Sequence, residues 1–465
     1  MKRLCIVSTY LPRICGIGSF ASQLAYYLDS LEKWQISVIA LVKDHGEPYG
    51  PEVIMQLRQD DRNDYDKAVR LINQGSYDAV ILQHEFGLYG GADGEYVLDL
   101  AKGIRKPLFT VFHSAPGEVT PNRTRILHGL ARYSRRMISL SQCGCDALAS
   151  LYGIPYDRTY HIPNGVISLP TAPKEEAKRE LGTAGRTVAM TFGLLNPGKG
   201  IEHVLLAMPE IVREHPDFLY QIVGGIHPDI RRIDGDAYLN GLKQLAHDLG
   251  LEAYVSFVDR YLDDHALIHY LSGADLYITP YRSMDQISSG TLTYAAHYGI
   301  PIVSTPYLHA SELLGDGSGR LFPYGDVDQL RIQLSELLDN EPLRNSLGEA
   351  LRAKTVHYSW PEVARHYSLF ILSEIGGSRT RKRKKSGRLA VRRRTARRRK
   401  WHMTRALRRI RRRKMRLRHA RTGKRSRIRA RSAGRSGTVM KKRRRRSRPG
   451  AFRTLTRRRR RRLRN

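Results

Sequence analysis

The sequence predicts an α/β protein: two doubly wound, Rossmann-like domains facing a cleft, followed by a disordered Arg-rich C-terminal tail. Three observations predict it. Short apolar runs alternate with helix-period stretches through residues 1–375, the pattern of a parallel sheet covered by helices. The alternation breaks at Asn164-Gly165 and the prolines Pro170 and Pro173, then starts again near residue 187. Charge is sharply segregated. Of 80 Lys and Arg, 45 lie in 376–465 with no Asp or Glu, leaving 35 basic against 44 acidic residues in 1–375, a net of −9. The implied divisions are 1–168, 169–357, a crossover helix at 358–375 and the tail at 376–465.

Residues 4–9 read as a buried strand, and the loop 11–18 with Gly16 and Gly18 leads into a helix over 19–31, where Phe20, Leu24, Tyr27 and Leu28 recur at helical spacing. Strand 35–41, helix 65–73 and strand 79–82 follow. A Gly-rich loop, 83–91, carries His84, Glu85, Gly90 and Gly91. Then come helix 94–103, a strand over 107–112 ending at His113, helix 123–133, strand 136–140 and helix 143–152. The second series opens with strand 187–192 and a loop from Gly193 to Gly200 containing Lys199. Helix 201–215, strand 219–223, helix 237–249, strand 255–258, helix 264–272 and strand 274–280 continue it. A helix over 289–298 and a strand over 300–305 follow, with Glu312 expected to cap a helix near Ala310. A short strand at 319–322 and helices at 326–338, 342–355 and 360–375 close the series.

Four cysteines, Cys5, Cys15, Cys143 and Cys145, are too few and too irregular for a disulfide framework, and Cys143-Gly144-Cys145 lacks the second Cys/His pair of a metal site. No apolar run reaches the roughly 18–20 residues that cross a bilayer. The N-terminal apolar run is stopped by Pro12 and Arg13, which suits a first strand better than a signal peptide. A cytoplasmic protein is expected, with a peripheral place at the inner membrane surface open to it through the basic tail.

The stretch Ser288-Ser289-Gly290-Thr291 joins a strand to a helix. Free amides at the positive end of a helix dipole suit phosphate, although Ser and Thr also serve as plain N-caps. Ligands of open α/β sheets sit at the carboxyl ends of the strands. Gly16, Gly18, Gly90, Gly91, His113, Lys199 and the Ser-Ser-Gly-Thr turn all fall there.

These residues together resemble the family 4 retaining glycosyltransferases of GT-B fold, the group 1 type, over residues 1–375. The resemblance lies in Gly16-Ile17-Gly18, Ile162-Pro163-Asn164-Gly165-Val166, Gly193…Lys199-Gly200-Ile201-Glu202 and the region 274–322. A subgroup is suggested by Gln83-His84-Glu85-Phe86-Gly87, Gly225-Ile226-His227-Pro228 and Gln286-x-x-Ser289-Gly290-Thr291. It implies transfer of a hexose, mannose or glucose, from a nucleotide-sugar to a glycan, lipid or small-molecule acceptor. Configuration would be retained by a front-face path, without metal or cofactor. By resemblance, Lys199 contacts the diphosphate, His113 stands near the donor sugar, and Gly16 and Gly18 approach the phosphates or the acceptor. Gly193, Ser289, Gly290, Thr291 and Tyr294 are donor-binding; His84 and Glu85 bind the acceptor or fix their loop. Two departures stand out. The family's paired glutamates are here Gln286 and Tyr294, and the arginine of its phosphate loop is Leu194. Gln286 still bonds sugar hydroxyls, but one phenol does not reproduce a carboxylate's double acceptance.

The tail's Arg blocks suit polyanions, either nucleic acid or an anionic membrane surface. Only Trp401 and Phe452 offer aromatic stacking there. Two rivals therefore stand beside the transferase: a polyanion-binding protein with a degenerate catalytic core, and a GT-B enzyme of another reaction such as a phosphorylase.

Overall fold

Seven parallel strands form the first sheet of the computed structural model, which describes residues 1–115 and 117–376. They are β1 (Lys2–Ser8), β2 (Trp34–Val42), β3 (Val53–Arg58), β4 (Ala79–His84), β5 (Leu108–Phe112), β6 (Arg136–Ser139) and β7 (Thr159–His161), in the order β3-β2-β1-β4-β5-β6-β7. The second sheet holds β8 (Thr187–Phe192), β9 (Phe218–Val223), β10 (Val255–Val258), β11 (Leu276–Thr279), β12 (Ile302–Ser304) and β13 (Arg320–Leu321), ordered β10-β9-β8-β11-β12-β13. Every pairing is parallel, so each strand returns through a crossover that buries both faces. That is why β1, β4 and β9 read as continuous apolar runs rather than alternating ones.

The strand order reverses between β1 and β4 in one sheet and between β8 and β11 in the other. At such switch points neighbouring crossovers diverge and leave a crevice at the carboxyl ends of the strands. The loops after β1, β8 and β11 thus hold the predicted site residues Gly16, Lys199 and Gly290.

The chain crosses between the halves twice. Val166 pairs with Ser359, its amide bonding the Tyr358 carbonyl at 2.8 Å while Trp360 N returns to Val166 O at 2.9 Å. Gly165 is required there, because a Cβ would stand 2.2 Å from the Trp360 ring. The helix Trp360–Gly376 then packs Val363, Tyr367, Phe370 and Ile371 into the first half's core, and Trp34 Nε1 donates to Ser368 Oγ at 2.8 Å.

Several expectations needed correction. The first helix is Gly16–Asp29, not 19–31, because Cys15 caps it and its Sγ accepts from Gly18 N at 3.1 Å. The helix expected over 94–103 starts at Val97, after a 3-10 turn at Ala92–Gly94 in which Asp93 has a φ of 51°. Strands β3 and β7 were not anticipated. The prolines at 170 and 173 do not mark plain linker: Pro173 stands at the N-cap of a helix, Lys174–Glu180, with acids in its first turn and bases in its last. Gly376 ends the last helix, and the expectations for the remainder of the tail, 377–465, lie outside the described residues.

Candidate active site

A cavity of about 640 Å³ opens between the two sheets. Leu11, Cys15, Gly16, Ser19, Phe20 and Gln23 line it from the first half. Gly193, Leu194, Lys199, Gly224, Gly225, Tyr261, Asp263, Asp264, Tyr281, Gln286, Gly290, Thr291 and Tyr294 line it from the second, with Asn164, Gly165 and Trp360 at the crossing. Bonds span its rim: Ser19 Oγ to Tyr261 Oη at 3.2 Å, Gln23 Nε2 donating to Asp264 Oδ2 at 3.2 Å, and the ion pair Lys43–Asp229.

Lys199 is the only Lys or Arg in this wall among the described residues. It sits in a 3-10 turn, Pro197–Lys199, whose cap is Asn196, and its side chain is buried. The ammonium donates to Phe192 O at 3.1 Å and Tyr281 Oη at 3.3 Å and lies 5.1 Å from the Tyr281 ring centroid. No described carboxylate pairs with it. Gly193, at a φ of 106°, lies close beneath: a Cβ there would meet Thr291 Cγ2 at 3.0 Å and Lys199 Nζ at 3.3 Å. The positive φ and the lack of space both favour glycine.

The Ser-Ser-Gly-Thr turn caps the helix Gly290–His297 as expected. Ser289 Oγ accepts from Leu292 N at 3.3 Å, and Ser289 N donates to His309 Nδ1 at 2.9 Å. The amides of Gly290 and Thr291 have no partner among the described residues, and both residues line the cavity together with Lys199. Lys199 and the start of this helix therefore share one wall, linked through Tyr281 Oη, which contacts both the ammonium and Thr291 Oγ1. Gln286 is also in the wall, its amide folded back to donate to Ser288 O.

The structure does not bring every predicted residue to this point. Gly18 is packed against Arg13 O and Cys15 Sγ and serves the helix start, whereas Gly16 has open space. Ser289 is buried behind Thr291 as the cap. Tyr294 presents its ring, but its hydroxyl accepts from Ile167 N at 3.3 Å. With Tyr298, which donates to Ile167 O at 2.8 Å, it holds the segment joining the two halves. His113 lies outside the wall, edge to face with Phe20 at 5.0 Å, its Nε2 bonded to Gln83 Oε1 at 2.8 Å. His84 is fully buried between Phe86 and Phe112, so its ring does not open to solvent. Burial pushes both imidazoles down to about 3, and at His84 the nearby His113 adds to the effect. Glu85 accepts from Phe86 N at 3.0 Å and Ser114 Oγ at 2.7 Å, and burial raises its carboxyl. Glu85 thus ties the start of the loop after β4 to Ser114, while His84 packs between aromatic rings. Glu312 does not cap its own helix, Leu308–Leu314; its carboxylate takes the amides of Gln142 and Cys143 at the start of Gln142–Tyr152.

Sequence reasoning missed Tyr281, Asp264, Tyr261 and Trp360. Tyr281 follows two residues after β11, and Tyr261 and Asp264 lie in and just after the loop that leaves β10, and that placement was the available signal. Trp360 had none, because its proximity depends on the second crossing.

The two Rossmann-like sheets with a crossing C-terminal helix and a cleft at both switch points are the GT-B architecture. Solved structures share it: Anabaena Alr3699/HepE in complex with UDP, at a TM-score of 0.64 and 17% identity over 80% of this chain and 100% of that one. Sucrose-phosphate synthase from Thermosynechococcus elongatus gives 0.67 and 16% over 81% and 100%. Residues 173–354 match the model of the glycosyl transferases group 1. Among curated relatives, the GDP-mannose-dependent alpha-(1-6)-phosphatidylinositol monomannoside mannosyltransferase of Mycolicibacterium smegmatis is 29% identical over 44% of this chain and 53% of its own length. The corresponding monoacylated-substrate enzyme of Corynebacterium glutamicum is 28% identical over 46% and 56%. The chain spans about half the length of the curated relatives it matches.

Proposed function

We propose that the chain is a retaining glycosyltransferase that moves a hexose, with mannose favoured over glucose, from a nucleoside-diphosphate sugar to a lipid or glycan acceptor. Residues 1–168 take the acceptor and 169–357 the donor. The observation that carries this reading is the buried Lys199 ammonium, without a carboxylate, beside the free amides of Gly290 and Thr291. A buried cation lacking a counter-charge is costly unless an anion arrives, and a diphosphate at a helix N-terminus supplies one. The mannosyltransferase relatives favour mannose and a lipid acceptor.

In the reaction the bond from the anomeric carbon to the diphosphate oxygen breaks, and the acceptor oxygen bonds to the same face. The acceptor proton passes to the departing phosphate oxygen. Negative charge gathers on the β-phosphate, where Lys199 and the two amides stabilise it. Gln286 holds a sugar hydroxyl. No resident metal or cofactor enters this scheme.

The test is a thermal-shift titration of the full chain with UDP, GDP and ADP and their sugar conjugates. A ligand at about 100 times its dissociation constant adds roughly 2.7 kcal/mol. A shift with one nucleotide names the base and leads to donor-hydrolysis assays. No shift with any of them rejects the reading in favour of a polyanion-binding protein whose donor site is lost.

A further inference from the structure

The second-half glycine loop lines the cavity with the uncharged Leu194, and among the described residues the wall holds no Lys or Arg besides Lys199, so Lys199 faces an incoming diphosphate without a second cation. The residue beside it is Tyr281. Its ring stacks on Tyr307 at 5.0 Å and 20°, which fixes the phenol in the cavity wall. Its hydroxyl accepts from Lys199 Nζ at 3.3 Å and lies 3.1 Å from Thr291 Oγ1.

Lys199 only donates to Tyr281 Oη, whereas the Ser289–Thr291 contact at 3.2 Å and the Thr291–Tyr281 contact run in either direction. Leu292 N occupies one lone pair of Ser289 Oγ at 3.3 Å. An anion in the cavity selects the order in which Ser289 donates to Thr291 and Thr291 to Tyr281 Oη, because that order leaves the Tyr281 proton free for it. We infer that Tyr281 is a second, neutral donor to the diphosphate of the nucleotide-sugar, aimed by Lys199 and Thr291. The inference rests on the diphosphate reading of this cleft. Burial, which raises a phenol, is outweighed at Tyr281 by Lys199 and the neighbouring hydroxyls, which hold it below the ordinary phenol range. A phenol so placed is a stronger donor to phosphate oxygen than an ordinary tyrosine.

Calorimetric titration of the full chain tests this, using whichever of UDP, GDP or ADP it binds, the matching monophosphate and the nucleoside. Tyr281→Phe keeps the stacking and the ring face toward Lys199 and removes only the hydroxyl. Diphosphate affinity is expected to fall roughly tenfold, with nucleoside affinity unchanged. Thr291→Val, which leaves the phenol but removes one of the groups aiming it, should give a smaller loss of the same kind and serves if Tyr281→Phe does not fold. Equal diphosphate affinity in wild type and variants overturns the inference alone, as does an equal loss for nucleoside and diphosphate. A wild-type chain that binds none of the three diphosphates overturns the transferase reading and this inference with it.

Discussion

Lys199 sits buried with a carbonyl, a phenol and an aromatic face for company and no described carboxylate. Such a group opposes folding in the empty protein and acts only when an anion is present. Lys199→Met should therefore raise the melting temperature of the unliganded chain while lowering turnover at least tenfold. Loss of a phosphate partner costs about 2–4 kcal/mol of transition-state stabilisation. Near-normal turnover in the variant would remove Lys199 from the mechanism. His84 and His113 make the opposite kind of prediction, in pH. Their folded values near 3 lie below the unfolded value of about 6.5. The unfolded chain therefore takes up protons that the fold refuses. Stability from each is complete above about pH 6.5 and is lost as pH falls toward 3, by about 2 kcal/mol per histidine between pH 7 and 5. Urea unfolding at those two values should show a smaller drop for His113→Gln than for wild type. Parallel drops would mean that His113 is protonated in the fold.

At the scale of elements, two helices are tied across the halves by polar groups that their own sequences do not announce. Glu312 accepts from the first amides of the helix Gln142–Tyr152, adding a carboxylate where the dipole favours one. Glu312→Gln should cost about 1 kcal/mol in urea unfolding; an unchanged midpoint would show that the contact contributes nothing. Tyr294 on Gly290–His297 and Tyr298 at its C-cap, one turn apart, grip the backbone at Ile167 and Leu169. The sequence shows the tyrosine at position 294 only as a missing carboxylate, and the structure shows what replaced it: a bond to the segment between the halves. The elements themselves were legible wherever a strand was buried on both faces or a helix carried a clear apolar stripe, as at β1, β8 and the helix Ile201–Glu214. Strand β3 was not, because only Leu57 in Val53–Arg58 is fully buried at that sheet edge. The site was half legible for a related reason. Lys199, Gly193 and Gly290 belong to local turns with local rules, whereas the inward burial of His84 and the approach of Trp360 depend on contacts far apart in sequence.

At the scale of the whole chain, charge is divided more sharply than structure. Residues 1–375 carry a net of −9, and 376–465 hold 45 Lys and Arg with no acid. Binding to a polyanion through such a segment is driven by counterion release, so it weakens steeply and linearly in log salt. With few aromatic residues it has little means of reading bases. The full chain should therefore be retained on heparin and eluted only by high salt, whereas a chain ending at residue 376 should pass through, its acidic body repelled. Nucleotide titrations of the two forms, run side by side, should give the same affinity, because Lys199 and the 290–291 amides belong to the first 376 residues. Loss of nucleotide binding on truncation would tie the basic segment to the cleft. Retention of the shortened chain on heparin would place the polyanion site on the body instead, and the charge division would then explain neither.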